Sequence, residues 1–213
     1  MIMKTTLMTR FAWLMGGLVL ASATASAATL SSQTFTTDTT TSYTENEDLF
    51  VFSDVTWTIS PNVTVTTAGR FFPEGATFTV AGGGSINATT GNTYAGMRIG
   101  WSGEAAFIDI IEGSTFEFTS SSAPVWVNVS GSSISLDGIG STFIAAGTYD
   151  SGTGEFQGVG GNGAVPIIVT NGTLQVNDLG SGFTELTVVP EPGSFALIAG
   201  CLGLTWVMLR RRG

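Results

Sequence analysis

In the stretch "EGSTFEF" (112–118), a glycine and two small hydroxyl residues lead into an alternation. Phe116 and Phe118 fall on one side of it, Thr115 and Glu117 on the other. A period of two is the spacing of a β-strand with one buried face. The same arrangement returns in "EGATFTV" (74–80), "SGSSISL" (130–136), "GIGSTFI" (138–144) and "TNGTLQV" (170–176). Gly75 and Gly113 are 38 residues apart, Gly113 and Gly131 18, and Gly131 and Gly172 41. A coil of about 18 to 21 residues accounts for these intervals if each long gap skips one coil. Gly140 is off that beat, so its segment reads as a second face of the same coil. Stacked coils bury a continuous apolar row that no single repeat could bury alone.

The surrounding sequence repeats the pattern. "LFVFSDVTWTI" (49–59) puts Leu49, Val51, Val55, Trp57 and Ile59 on one side, with Ser53 as the exception. "NVTVTT", "AAFIDII" and "VWVNVS" alternate likewise between glycine-rich turns, and no stretch from Ala28 to Val188 has a helical period. The expectation is an all-β domain over residues 49–188, a single-stranded parallel β-helix (β-solenoid) of about seven coils. The irregular spacing leaves an antiparallel β-sandwich as the alternative. Residues 28–48, rich in Thr and Ser and ending in "ENED", read as a flexible lead-in or cap. "DSGTGEFQGVGGNGAVP" (150–166) reads as a long loop. The stretch 82–118 resembles the Gly-rich repeats of autotransporter-type passenger domains, which implies a right-handed winding.

Both ends of the chain differ from its middle. Residues 1–27 have the order of a secretory signal peptide: Lys4 and Arg10, an apolar run from Phe11 to Leu20, then small residues. Ala25 and Ala27 occupy the two specificity positions, so cleavage is expected before Ala28. Residues 189–213 combine Pro190-Glu191-Pro192, seventeen uncharged residues from Gly193 to Leu209, and the cluster Arg210, Arg211 and Arg212. Seventeen residues rise about 26 Å as a helix, close to a hydrocarbon core of about 30 Å. Basic residues next to such a span stay cytoplasmic. A transmembrane helix with an exported domain before it is therefore expected.

That ending resembles the PEP-CTERM sorting signal of exported proteins in Gram-negative bacteria. The resemblance covers about 25 residues. It implies recognition of Pro190, Glu191 and Pro192 by exosortase, a membrane transpeptidase or protease, with Arg210 to Arg212 as the stop-transfer cluster. It also implies passage through signal peptidase, transient anchoring in the inner membrane, and delivery to the outer surface or matrix, where exopolysaccharide is the implied partner.

Charge and composition narrow the chemistry. Residues 28–189 carry 15 acids against two bases, Arg70 and Arg98, a balance of −13 with no Lys and no His. Nucleic acid is excluded as a partner, because phosphate contacts need clustered basic residues. Cys201 is the sole cysteine and lies in the apolar tail, so neither disulfide nor thiol chemistry is expected in the domain. No cofactor or metal pattern is present: "GGNGAVPII" (160–168) lacks the aspartate that a calcium repeat needs at Val165. Glu104, Asp109, Glu112 and Glu117 cluster in sequence, and Asp109 and Glu112 differ by three, which points them to opposite faces of a strand. A non-enzymatic envelope or matrix protein is expected, the alternative being a carbohydrate-binding or weakly carbohydrate-active protein. Trp57, Trp101 and Trp126 discriminate: buried, they are core; exposed, they are sugar platforms.

Overall fold

The structure is a computed structural model that describes residues 27–43, 47–88, 97–100, 103–118, 125–127, 130–159 and 163–210. Residues 1–26, which hold most of the expected signal peptide with Ala25, and Trp101, Arg211 and Arg212 lie outside the described residues.

The chain winds in tiers of three strands. The first holds β1 (Ala27–Thr29), β2 (Gln33–Phe35) and β3 (Thr39–Thr40). The second holds β4 (Asp48–Val51), β5 (Val55–Ile59) and β6 (Thr64–Thr67). Then come β7 (Arg70–Pro73), β8 (Thr77–Ala81) and β9 (Ser85–Ala88), followed by β10 (Met97–Ile99), β11 (Phe107–Ile111) and β12 (Thr115–Phe118). The fifth tier is β13 (Val125–Val127), β14 (Ser133–Asp137) and β15 (Thr142–Asp150). Each strand pairs in parallel with its counterpart in the next tier. Three flat faces result: β1-β4-β7-β10-β13, β2-β5-β8-β11-β14 and β3-β6-β9-β12-β15. The domain is a β-solenoid, and the parallel ladders rule out the antiparallel sandwich.

The coil count expected from the sequence is too high. The solenoid makes about four turns, not seven, because one turn takes more residues than the glycine spacing indicated. On the first face Ala27 pairs with Asp48, Asp48 with Arg70, Phe71 with Met97, and Met97 with Val125. "EGATFTV" leads into β8 on the second face and "EGSTFEF" into β12 on the third. The true repeat partner of "GSTF" at 113–116 is "GSTF" at 140–143, with Thr115 on Thr142 and Phe116 on Phe143. The short beat had mixed two faces of one coil, and the segment set aside as off the beat was the one in register.

Inward residues of all three faces meet in one core. Leu49, Val51, Val55, Trp57 and Ile59 are all buried, as the alternation predicts. They belong to two strands, β4 and β5, with Ser53 and Asp54 turning the corner between them. Trp57 packs edge-on against Phe35, Phe71 and Phe78, and Phe71 in turn against Phe116 and Phe118. Aromatic rings from three faces thus fill the prism. Trp57 also donates its indole N–H to the Ser31 carbonyl at 3.1 Å.

Corners are tied between tiers by short polar side chains. Asp54 Oδ1 accepts from the Thr77 amide at 2.9 Å, Ser114 Oγ from the Gly83 amide at 3.0 Å, and Ser141 Oγ from the Gly113 amide at 3.2 Å. These bonds satisfy backbone donors that turn away from the ladders. Gly82 shows why a corner needs glycine: its φ is +91°, and a Cβ there would stand 2.6 Å from the Ile59 carbonyl oxygen.

The far end closes differently. The stretch expected to be a long loop is a meander: β15 turns through Ser151–Gly154 into β16 (Glu155–Gly158), which runs antiparallel to it. β16 then pairs antiparallel with β17 (Val165–Thr170), which returns to the second face beside β14. A hairpin of β18 (Thr173–Gly180) and β19 (Phe183–Val189) lays β19 antiparallel on β15. The chain then enters α1 (Pro192–Arg210). The tail is helical as expected, but among the described residues no helix is long and apolar enough to cross a membrane. Nineteen residues rise only about 28 Å. Pro192, Gly193 and Arg210 occupy the ends of that length, and Gly200 and Gly203 dilute its middle.

Candidate functional site

The sequence-expected sorting residues sit at the junction of solenoid and helix. β19 is held on both sides, with Phe143 facing Leu186 and Leu174 facing Val188. The last fixed points are the Val188 amide, which donates to the Ser141 carbonyl at 3.0 Å, and the Val188 carbonyl, which accepts from the Gly140 amide at 2.8 Å. Val189 still pairs with Thr173. Immediately beyond, Pro190 is half-buried and Glu191 and Pro192 are exposed. Two prolines remove two backbone donors, so the chain leaves the sheet here and cannot extend the ladder. Pro190 and Glu191 line an open cleft of about 670 Å³ with Ile139, Val169, Gly172 and Ile198. Pro190 and Glu191 form the short link between β19 and α1, and Pro192 is the first residue of the helix. Along α1, Leu197, Leu202, Leu204 and Trp206 project into solvent, Leu197 at 70% exposure. Arg210 ends the helix as its last-turn base.

At the other end, Ala27 and Ala28 lie in β1, opposite Asp48 and Leu49. Ala28 is the partly buried member of that strand, so the expected cleavage before it falls inside the first ladder rung.

The clustered carboxylates do not converge. Asp109 faces outward from β11 between Thr79 and Ser135, whereas Glu117 stands on β12, on another face. Glu112 sits in the corner between them at φ +58°, with Oε2 accepting from the Gly82 amide at 2.9 Å. Burial raises the pKa of Asp109, with Asp137 and Asp54 adding to the shift. Asp137 shifts the other way, because Thr170 and Asn171 each donate to its Oδ1 at 2.6 Å. Among the described residues no group of three His, Cys, Asp or Glu side chains could hold a metal.

One arrangement was not anticipated. The outward side of the first face carries a column of aromatic and guanidinium groups. Phe50 stands beside Phe72 with centroids 5.2 Å apart, and Phe52 stacks on Phe50 at 5.0 Å. Arg98 lies over Phe72 at 5.6 Å and over Trp126, its ladder partner, at 4.0 Å. Arg70 lies over the same Phe72 ring at 5.7 Å and forms an ion pair with Asp48. Burial and the charge of Arg70 lower the pKa of Arg98, Asp48 partly offsetting them; a guanidinium nonetheless stays charged. Both bases of residues 28–189 are therefore on one face. Trp57 is core, while Trp126 is half-buried on the surface. The signal in the sequence was the placing of each arginine in a strand, next to aromatic or apolar neighbours. Unequal coil lengths hid their alignment.

Asn62 and Asn171, each the first residue of an Asn-X-Thr triplet, occupy turns with φ +64° and +59°. Asparagine tolerates that region better than other residues with a Cβ, which accounts for it at both places. Comparison finds no matching protein-family model, no matching curated protein and no matching solved structure.

Proposed function

We propose that this chain is a non-enzymatic exported protein of the cell envelope or matrix, delivered by a C-terminal sorting tail that exosortase recognises and removes. The supporting observation is the position of Pro190-Glu191-Pro192. The last ladder pairing is at Val189, and half-buried Pro190 and exposed Glu191 follow at once, with Pro192 opening the helix. A protease acting at Pro190 or Glu191 meets chain outside both regular elements and leaves every solenoid ladder intact.

The helix suits a temporary role. α1 by itself falls short of a membrane-crossing helix, so in this reading the tail lodges only with local thinning of the bilayer or with Arg210 reaching to the interface. Arg211 and Arg212 add to the charge that stays on the cytoplasmic side. In this reading the solenoid winds right-handed, as connections between parallel neighbours do. Signal peptidase acts first, before Ala28, then exosortase, and the released domain resides among exopolysaccharide outside a Gram-negative cell.

Mass spectrometry of both termini, on protein recovered from cells and medium, tests the proposal. The expected product begins at Ala28 and ends within residues 190–193. Recovery of surface material that retains Arg210–Arg212 overturns it. Replacing Glu191 and both prolines by alanine is expected to leave the tail uncut.

A further inference from the structure

We propose that the free edge of β18 is a self-association surface, on which a second copy of this chain pairs antiparallel about a twofold axis at Gln175. The product is a dimer in which the third face continues from one copy into the other.

Three observations carry it. First, the edge is long and open. β19 covers the edge of β15 and β18 covers that of β19, but β18 pairs with β19 alone among the described residues. Six of its eight residues are exposed. A strand edge of this length is a row of backbone donors and acceptors that another strand can complete. The first tier also has open edges, but its strands are only three, three and two residues long.

Second, most of this edge lacks the devices that keep sheet edges apart, namely charge, proline and bulges. Thr173 to Asn177 contain no charge and no proline. The one acid of the strand, Asp178, and the register shift beside it lie toward its far end. A basic partner drawn to a domain with a balance of −13 would find no carboxylate along these five residues, whereas a second copy matches them.

Third, the register is self-complementary. Antiparallel pairing about Gln175 sets Leu174 opposite Val176 of the second copy, Val176 opposite its Leu174, and Thr173 opposite its Asn177. Leu174 and Val176 share the side of the sheet that carries Val188 and Leu186, their partners on β19. Leu174 packs partly buried against the core, and Val176 is 44% exposed. The two cross-strand apolar pairs therefore cover surface that a single chain leaves in water. Centring the pair on Val176 instead would set Leu174 opposite Asp178, so charge selects the register. Gln175 is exposed on the other side and meets its own counterpart on the axis. It donates one N–H to Asn177 Oδ1 at 3.1 Å, and an amide has a second N–H and an oxygen to exchange. Twofold closure stops the assembly at two copies.

Two domains of the same negative charge repel, through a field that salt screens within about 8 Å at physiological ionic strength. Dimerisation therefore tightens as salt is raised, the opposite of an association between unlike charges.

The test follows the full chain by analytical ultracentrifugation across concentration and salt, in detergent micelles that cover α1. A monomer–dimer equilibrium that tightens with salt is expected. Gln175→Glu and Gln175→Lys each put like charges across the axis and should weaken it about tenfold. The position is exposed, so neither variant should change the melting temperature. Mixing the two variants should restore wild-type affinity as a heterodimer, because the charges on the axis are then opposite. A merely structural defect would not be rescued in this way. A chain that stays monomeric at the highest concentration reached overturns the proposal. So does a mixture no tighter than its components, or a dimer that both charges leave intact, which would assign the contact to another surface. Each of these results leaves the processing of the termini, and with it the sorting proposal, untouched.

Discussion

The two ends of the solenoid are built on different principles. The first tier is three strands of three, three and two residues, each paired on one side only, to the tier above. Much of its attachment is side chain to backbone: Ser32 Oγ accepts from the Thr56 amide at 3.0 Å, and Asp38 Oδ1 from the Thr64 amide at 2.9 Å. The last tier has strands of up to nine residues, and antiparallel β16 bridges the second and third faces. A parallel stack has no inherent stopping point, since every tier offers an edge to the next. An antiparallel return ends it by consuming that edge. Residues 28–48, expected as a flexible lead-in or cap, supply that thin first tier, and the segment expected as a loop is the lock.

This contrast can be broken by experiment. Phe143, buried and edge-on to Phe156 at 5.4 Å, belongs to the lock. Phe143→Ala should cost about 3–5 kcal/mol in urea unfolding. Phe35→Ala removes the matching ring of the first tier, which is edge-on to Trp57. It should cost less than half as much, because a terminal tier can fray without unfolding the stack. Equal costs would abolish the distinction between the ends. Gly147→Ala comes next, at about 1–3 kcal/mol. Its Cβ would be forced against the Gln157 carbonyl oxygen and the Phe156 ring, where β15 and β16 cross most closely. Ser141→Ala should cost about 1–2 kcal/mol. Ser141 is fully buried, donating to the Asp137 carbonyl at 2.6 Å while the Gly113 amide donates to it. Thermal melts of both variants check these values.

The smallest effect is a pH dependence. The folded pKa of Asp109 is raised, so its contribution is present in acid and is lost as pH rises through that value. Asp109→Asn should therefore raise the melting temperature at neutral pH, with the gain vanishing in acid. Asp137 has the opposite sign: its two donors favour the carboxylate, and that contribution is lost as pH falls through the lowered value. A melting difference for Asp109→Asn that grew on acidification would contradict the arrangement of these three aspartates.

Alternation made the strands and the inward set readable, because burial on a pleated surface imposes period two whatever the topology. The number of turns was not readable. Each face demands the same local grammar, a small corner residue followed by alternating apolar positions, so segments from different faces look alike. Coil lengths also vary: Asp48 to Arg70 is 22 positions, whereas Met97 to Val125 is 28. Residues 150–166 misled for a related reason. Gly158 is there because a Cβ would press on the Val125 amide nitrogen at 2.5 Å, so this glycine marks close packing and not slack chain. Pro190-Glu191-Pro192 stands out in the sequence because it is contiguous there. The arginine–aromatic column does not, because it is contiguous only across tiers.

The placement of β19 has a mechanical consequence. Were α1 held, tension would reach the domain through Pro190, at the C-terminal end of a strand flanked by β15 and β18. A pull in line with that strand loads both ladders in shear, so their hydrogen bonds must yield together instead of opening one after another. A pull on α1 would thus act where the domain resists being drawn apart, and the first tier, at the opposite end of the stack, would be outside the line of force.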